Sequence, residues 1–184
     1  DIEDILDINT HGLKEALTRA IPAFGGKASH FAAFPHMDNK KVPYPKAFAV
    51  PVYYYWQFME QNGFHEQVSK MLADTQFQDD PSVRDRRLAE LRKSILNAPI
   101  DSTFEIILLN KLNTEYPGIR MRFRSSTNAE DLDGFTGAGL YTSKSGDPDN
   151  PSEPVRDAIR TVWSSVWFFR AFEERSYRNI DHHR

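Results

Sequence analysis

Apolar residues recur at helical intervals through the first part of the chain. This spacing predicts a helix over residues 10–21, with Thr10 as its cap and Pro22 as its end. A second short stretch with helical spacing covers residues 28–34, after a break at two consecutive glycines. The chain therefore opens with two helices joined by a glycine turn.

The middle and the end of the chain show the same helical periodicity. Residues 64–115 are predicted to form three helices, of which the middle one starts at Pro81 and the last covers residues 102–115. A long helix is predicted over residues 152–178, capped by Ser152. Its apolar stripe is widened by aromatic side chains, so it needs a partner surface on more than one side. Those aromatic residues are Trp163, Trp167 and Phe172.

Alternation of apolar and polar residues, which is typical of strands, is confined to short segments. It is strict over residues 119–124, where three apolar side chains alternate with three arginines. Weaker signals predict short strands over residues 48–52 and 140–143, and the rest of residues 125–150 is predicted to be loop and turn. The whole pattern predicts an α/β (α+β) chain that is rich in helix and has a small sheet.

Charge and composition narrow the function classes. The 23 basic and 26 acidic residues give a net charge of −3, which argues against nucleic-acid binding through bulk positive charge. A basic run on the predicted middle helix is interleaved with Asp85 and Glu90, which favours a solvated helix face over a nucleic-acid surface. That run comprises Arg84, Arg86, Arg87, Arg92 and Lys93.

Composition also speaks to membranes and redox chemistry. No apolar run approaches the roughly 20 residues that a membrane span needs, so we expect no membrane partner. The absence of cysteine excludes disulfides and thiolate chemistry in these residues. We expect a cytoplasmic protein.

Two segments could bind phosphate. Arg124 ends the arginine-bearing strand and is followed by Ser125, Ser126 and a loop with several glycines, so a charged donor fork and accessible backbone N–H groups occur together. Lys27 follows Gly25-Gly26 at a predicted helix start, where the helix N-terminus would favour the same anion. From the residues alone, an ordinary polar turn remains the alternative for both segments.

Together these segments resemble the N-terminal nucleotide-binding domain of the phosphoenolpyruvate synthase and pyruvate, phosphate dikinase family. The family's G-G-K turn corresponds to residues 25–27, its Val-Pro-x-Pro segment to residues 42–45, and its R-S-S-x-x-x-E-D-L signature to residues 124–132. A Phe-x-Gly follows at residues 135–137, and an aromatic-rich helix comes after it. The resemblance spans nearly the whole chain.

The resemblance implies the first lobe of an ATP-grasp-like domain and assigns residues to ATP. Lys27 and Arg124 would contact the nucleotide's phosphates, and Gly137 would belong to a loop that covers them. A threonine joins this loop in the family. Thr142 is the nearest here, although Tyr141 stands at the matching position. The acidic ligands of Mg²⁺ would lie in a second lobe, outside residues 1–184, which we expect to pack on the C-terminal helix.

The resemblance further implies that residues 1–184 are one partial domain of a longer phosphotransferase. Such an enzyme passes a phosphate from ATP to a histidine elsewhere in its chain and then to pyruvate or a related acceptor. Ala138-Gly139 replaces glutamines that are common in phosphoenolpyruvate synthases, so another acceptor, such as an antibiotic or a glucan, stays open. The alternative is a nucleotide-binding or interaction module without catalysis. We interpret His182-His183 as a linker between the lobes. Within residues 1–184 we expect no catalytic residue and no metal ligand.

Overall fold

The computed structural model describes residues 1–37, 43–128 and 139–182, and the chain divides into two compact units. Unit 1 comprises Asp1–Tyr55 and Ser126–Gly137, and unit 2 comprises Trp56–Ser125 and Ala138–Arg184. The interpretation of residues 1–184 as one partial domain stays a prediction.

Unit 1 is built from helices around a small aliphatic core. It contains α1 (Ile8–Phe24), α2 (Gly26–Phe31) and the start of α3 (Val52–Gln61), together with short 3-10 turns at Ile2–Asp4 and Phe34–His36. The small alanines of α1 allow close packing against the N-terminal turn and α2. The buried core consists of Ile2, Leu6, Ala16, Ala20 and Ala32.

The ends of α1 differ from the prediction. Asp7, and not Thr10, is its cap, because the Asp7 carboxylate accepts a hydrogen bond from the Thr10 backbone N–H at 3.1 Å. Pro22 lies inside α1 rather than ending it. The helix continues past it to Phe24, and the Gly25 N–H closes the last turn by donating to the Ile21 carbonyl at 2.8 Å.

The strand predicted over residues 48–52 is absent from the described part of the chain, so that prediction is wrong. Residues 43–51 carry no regular structure, and α3 begins at Val52. The prolines of this segment lack the N–H groups that a strand ladder needs. The segment instead receives a backbone hydrogen bond from Ile2 N–H to the Ala47 carbonyl at 3.1 Å.

Unit 2 contains more helices than predicted. Four helices occupy the stretch predicted to hold three, because Asp74 and Asp80 each cap a new helix: their carboxylates accept from Gln76 N–H at 2.9 Å and from Ser82 N–H at 2.8 Å. The helices are α4 (Phe64–Ala73), α5 (Thr75–Asp79), α6 (Pro81–Asn97) and α7 (Ser102–Glu115). The predicted start at Pro81 and the predicted helix over residues 102–115 are confirmed.

The long C-terminal helix predicted over residues 152–178 is interrupted. It consists of α8 (Val155–Ser164), a 3-10 turn at Ser165–Trp167, and α9 (Phe169–Tyr177). Phe168 adopts an extended conformation, with φ −61° and ψ 140°, and so ends the first helix and starts the next. The residue before α8 is Pro154 rather than the predicted cap Ser152.

The aromatic stripe of this region is covered by unit 2 itself. The Trp163 ring lies 4.9 Å from that of Phe58 and 6.0 Å from that of Phe104, and Trp167 is only 2% exposed. Phe172 packs edge-on against Phe77 at 5.4 Å. These rings thus have neighbours from α3, α5 and α7, and the packing of a second lobe on the C-terminal helix stays a prediction.

Part of the basic face of α6 is also structural, which corrects the prediction of a solvated face. Arg84 donates to the carbonyls of Phe77 and Gln78 at 2.7 Å and pairs with Glu173. Arg92 donates to the Trp167 carbonyl at 3.0 Å. These guanidinium groups connect α6 to α5 and to the C-terminal helices, whereas Arg86 and Lys93 are exposed as predicted.

The small sheet is confirmed. Strand β1 (Met121–Arg124) pairs antiparallel with β2 (Ser143–Gly146), so the second strand starts where the prediction of 140–143 ends. Gly146, the last residue of β2, lies close to α8: a Cβ there would be 3.0 Å from the Ala158 side chain. Within the described ranges, no helix is both long enough and apolar enough to cross a membrane.

Candidate functional site

The Gly25-Gly26 turn of unit 1 makes a close backbone contact that only glycine permits. Gly25 has φ +79° and ψ 166°, a conformation that residues with a Cβ rarely adopt. A Cβ at Gly25 would also lie 2.3 Å from the backbone carbon and oxygen of Ser126. The turn is therefore fixed against Ser126, the third residue of the R-S-S signature.

Hydrogen bonds join the same two segments. Gly26 N–H donates to the Thr127 carbonyl at 2.9 Å, and Ala28 N–H donates to Ser126 Oγ at 2.9 Å. The Ser126 hydroxyl in turn donates to the Phe24 carbonyl at 2.8 Å. Ser126 thus caps α2 from a point 98 residues further along the chain. We call residues 24–28 together with 126–127 the glycine turn.

This geometry corrects one part of the phosphate hypothesis. The backbone N–H groups of Gly26 and Ala28, which a helix N-terminus would offer to an anion, already have partners within the protein. Lys27 lies between them with its side chain exposed. In this turn the lysine ammonium, rather than those two amides, is the group suited to a phosphate.

In unit 2 the three arginines of the alternating segment are not equivalent. Arg120 makes two hydrogen bonds to the Glu153 carboxylate at 2.5 and 2.6 Å, and Arg122 donates to the hydroxyls of Ser143 and Ser145. Arg124 is exposed, and no described residue forms a hydrogen bond or ion pair with its guanidinium. We call residues 120–124 the arginine strand; Arg124 is its exposed end.

Electrostatics support the division within the arginine strand. The hydrogen bond and charge of Arg120 hold the pKa of Glu153 below its ordinary value, and those of Glu153 raise the pKa of Arg120. This pair is thus mutually neutralised at neutral pH. Arg124, which is exposed on the same strand, forms no such pair with a described residue.

The structure brings Arg124 and Thr142 together. Arg124 pairs with Ser143 in the register of the sheet, and Thr142 directly precedes Ser143, half-buried. Both therefore lie where the two strands are joined through residues 125–142. Lys27 belongs to unit 1, and Gly137 lies outside the described residues.

Residues 21–184 match the family model described as the pyruvate phosphate dikinase AMP/ATP-binding domain. The chain belongs to this family. Its match covers both the glycine turn and the arginine strand, so the two segments predicted to bind phosphate are part of one AMP/ATP-binding domain. Such a domain is a nucleotide-binding domain of the ATP-grasp-like type.

Similar proteins include phosphoenolpyruvate synthases. The phosphoenolpyruvate synthase of Aeropyrum pernix is 28% identical, and the match covers 92% of this chain and 21% of the relative. A probable phosphoenolpyruvate synthase of Staphylothermus marinus is 27% identical, and the match covers 92% of this chain and 20% of the relative. The phosphoenolpyruvate synthase of Escherichia coli is 25% identical, and the match covers 86% of this chain and 20% of the relative. The chain thus spans about a fifth of the length of these curated relatives. No solved structure matches it.

Sequence reasoning missed the structural role of two residues near the family motifs. Ser126 was noted only as a hydroxyl after Arg124; the signal for its capping role was Gly25, which has no side chain to cap α2. Arg175 is only 5% exposed and donates to the Tyr141 hydroxyl at 3.5 Å and to His182 Nδ1 at 3.3 Å. It therefore supports the residue beside Thr142.

The described histidines and acidic residues form no cluster with metal-ligand geometry. The His182 ring stacks on Phe172 at 4.0 Å, whereas His183 lies outside the described residues. Among the residues that the structure describes, no group of three or more histidines and carboxylates could hold a metal ion. The expectation that the acidic ligands of Mg²⁺ lie outside residues 1–184 stays a prediction.

Proposed function

We propose that Lys27, Arg124, Gly137 and Thr142 bind the phosphates of ATP. The observation that supports this best is the division of the arginine strand: Arg120 and Arg122 are engaged by Glu153 and by serines, while Arg124 keeps an exposed guanidinium. A planar guanidinium donates two parallel hydrogen bonds to a phosphate, and a lysine adds a compact charge. Such an arginine contact contributes roughly 1.5–3 kcal/mol when it is desolvated.

We propose further that the parent protein is a dikinase-type phosphotransferase. Its reaction would pass a phosphate from ATP to a histidine elsewhere in the parent chain and then to pyruvate or a related acceptor. Mg²⁺, held by residues outside this stretch, would neutralise charge on the transferred phosphate. The role of this chain would be to bind and orient the nucleotide. The phosphoenolpyruvate synthases among the relatives support pyruvate as the acceptor.

A second lobe remains part of this proposal, with a changed contact surface. Trp167 and Phe172 are buried, and Trp163 is half-buried between Phe58 and Phe104, so these rings offer it little surface. Among the described residues of the C-terminal helices, Tyr177 is the large hydrophobic side chain that is exposed, at 81%. We therefore expect a second lobe to contact the Tyr177 side of α9.

Nucleotide affinity tests the phosphate site. In calorimetric titrations of the 184-residue chain with ATP, we expect Arg124→Ala and Lys27→Ala each to lower the affinity by about tenfold to a hundredfold. Arg122→Ala is the matched control, because it removes an arginine from the same face of β1; its affinity should stay within about threefold. Thermal melts check that all three variants are folded. Equal small effects of Arg122→Ala and Arg124→Ala would contradict the proposed site.

Turnover tests the role of this chain within the parent. Because the chain spans about a fifth of the relatives, we expect the 184 residues alone to release no AMP from ATP. Chromatographic separation of the adenine nucleotides after incubation measures this. AMP formation by the purified wild-type chain that is lost in Lys27→Ala would show that these residues suffice for catalysis, against the proposal.

A further inference from the structure

One hydroxyl group brackets the proposed phosphate-binding lysine. Ser126 Oγ donates to the Phe24 carbonyl at 2.8 Å and accepts from the Ala28 N–H at 2.9 Å, so its two partners lie on either side of Lys27 in the chain. We propose that Ser126 is a positioning residue for Lys27: it fixes the backbone from which the lysine ammonium reaches the nucleotide. This inference rests on the proposed function of Lys27.

The helix that carries Lys27 needs such support. α2 has six residues, and helices this short are unstable on their own because few hydrogen bonds offset the cost of nucleation. Its own N-cap is Gly25, which has no side chain. The Ser126 hydroxyl supplies the missing cap, and the Gly26 bond to the Thr127 carbonyl holds the preceding residue. Both contacts come from the same distant segment.

The contact is too close for a substitute to form easily. The space on the Cα of Gly25 is filled by Ser126, whose Oγ would lie 2.5 Å from a Cβ there. Removing the hydroxyl would leave the Phe24 carbonyl and the Ala28 N–H without this partner. A lysine side chain has many rotamers, so the position of its backbone is the part that the fold can control. Loosening the turn would thus spread the positions of the ammonium.

Ser29 provides a control within the same helix. Its hydroxyl donates to the Gly25 carbonyl at 2.7 Å, and its side chain is fully buried. Ser29→Ala therefore removes one hydroxyl hydrogen bond from the same turn, as Ser126→Ala does. It leaves the bridge between Phe24 and Ala28 intact. The two variants separate a loss of stability from a loss of positioning.

The experiment combines a double-mutant cycle with hydrogen exchange on the 184-residue chain. We expect Ser126→Ala to lower the ATP affinity by about three- to tenfold and to speed exchange of the Ala28 amide. Ser29→Ala should leave the affinity within twofold, although both variants lower the melting temperature. The Lys27→Ala/Ser126→Ala double variant should bind ATP no more weakly than Lys27→Ala alone, since Ser126 acts through that lysine. If Ser126→Ala does not fold, Ser126→Cys replaces it, with a weaker donor.

The outcomes separate this inference from the proposed function. If Lys27→Ala weakens ATP binding but the two single effects add in the double variant, Ser126 does not act through Lys27 and the inference is overturned. Equal effects of Ser126→Ala and Ser29→Ala on affinity would also overturn it, in favour of a purely structural role. If Lys27→Ala leaves ATP affinity unchanged, the proposed function of Lys27 fails, and this inference fails with it.

Discussion

The glycine turn of unit 1 and the arginine strand of unit 2 each present an exposed cation, but different contacts hold the two segments in place. In both, part of the motif is engaged within the protein, and the cation predicted to bind phosphate is exposed: Lys27 in the first and Arg124 in the second. The glycine turn is held by backbone contacts around Gly25 and by the Ser126 hydroxyl. The arginine strand is held by its backbone pairing with β2, and its other two arginines are engaged by side chains, Arg120 by Glu153 and Arg122 by two serines.

This difference teaches which substitutions each region tolerates. A close backbone contact leaves no room for an added methyl group, because protein interiors are packed as densely as crystals. Exposed side-chain pairs contribute little, because water and salt screen them. The glycine turn should therefore respond strongly to a single methyl group. The arginine strand should lose its function at one position and little stability at the others.

The largest expected effect is that of Gly25→Ala. A methyl group there would lie 2.3 Å from the Ser126 backbone, so we expect about 3 kcal/mol or more of destabilisation from backbone strain and overpacking. Gly12→Ala is the matched control, since Gly12 has nearly the same conformation, with φ +71° and ψ 161°, but no atom within 4 Å of its Cβ position. The Gly12→Ala substitution should cost about 1–3 kcal/mol from backbone strain alone.

Chemical denaturation of both variants measures the difference. Since both glycines share one backbone conformation, the excess cost of Gly25→Ala reports the contact with Ser126 alone. Equal destabilisation by the two substitutions would mean that the glycine turn is not held by this contact. The glycine turn would then be no less tolerant of substitution than the arginine strand.

The next effect concerns the kind of cation in each region. Arg124→Lys keeps the charge but loses the planar fork, so we expect ATP affinity to fall by about three- to tenfold, less than for Arg124→Ala. Lys27→Arg keeps the charge on a bulkier group in the glycine turn. Titration calorimetry of both swaps with ATP measures this. Full affinity in Arg124→Lys would show that the arginine strand offers only charge, not geometry.

Much of unit 2 was predictable because its signals are local and periodic. Alternation identified the arginine strand, and helical spacing gave residues 102–115 without error. Those patterns reflect which face of an element is buried, and burial is what periodicity records. The break at Phe168 was missed because the apolar stripe continues across it.

The contacts of the candidate site were less predictable. The link between Ser126 and Ala28 joins residues 98 positions apart, and no periodic pattern in one sequence records such a pair. Polar side chains were also hard to place from the sequence. Arg84 lies in a run of charged residues that is typical of a solvated helix face, yet it donates to carbonyls of α5. Long amphipathic side chains serve both roles, and only their neighbours decide which.

The smallest expected effect is the pH dependence of the pair of Arg120 and Glu153. Because Arg120 lowers the pKa of Glu153 from its ordinary 4.5, folding favours the ionised carboxylate. The stabilisation is complete above the unfolded pKa, near 4.5, and is lost as the pH falls through the lower pKa of the folded protein. Asp147 and Lys144 are the other charges that act on this pair.

The measurement is the difference in melting temperature between the wild type and Arg120→Ala as a function of pH. We expect a small gap at neutral pH that closes below about pH 4.5 and shrinks at high salt. Arg122→Ala is the control on the same strand: its partners are the hydroxyls of Ser143 and Ser145, which do not titrate in this range, so its gap should not change with pH. A gap for Arg120→Ala that persisted in acid would show that Arg120 acts through packing rather than charge. The arginine strand would then resemble the glycine turn more than its exposed ion pair suggests.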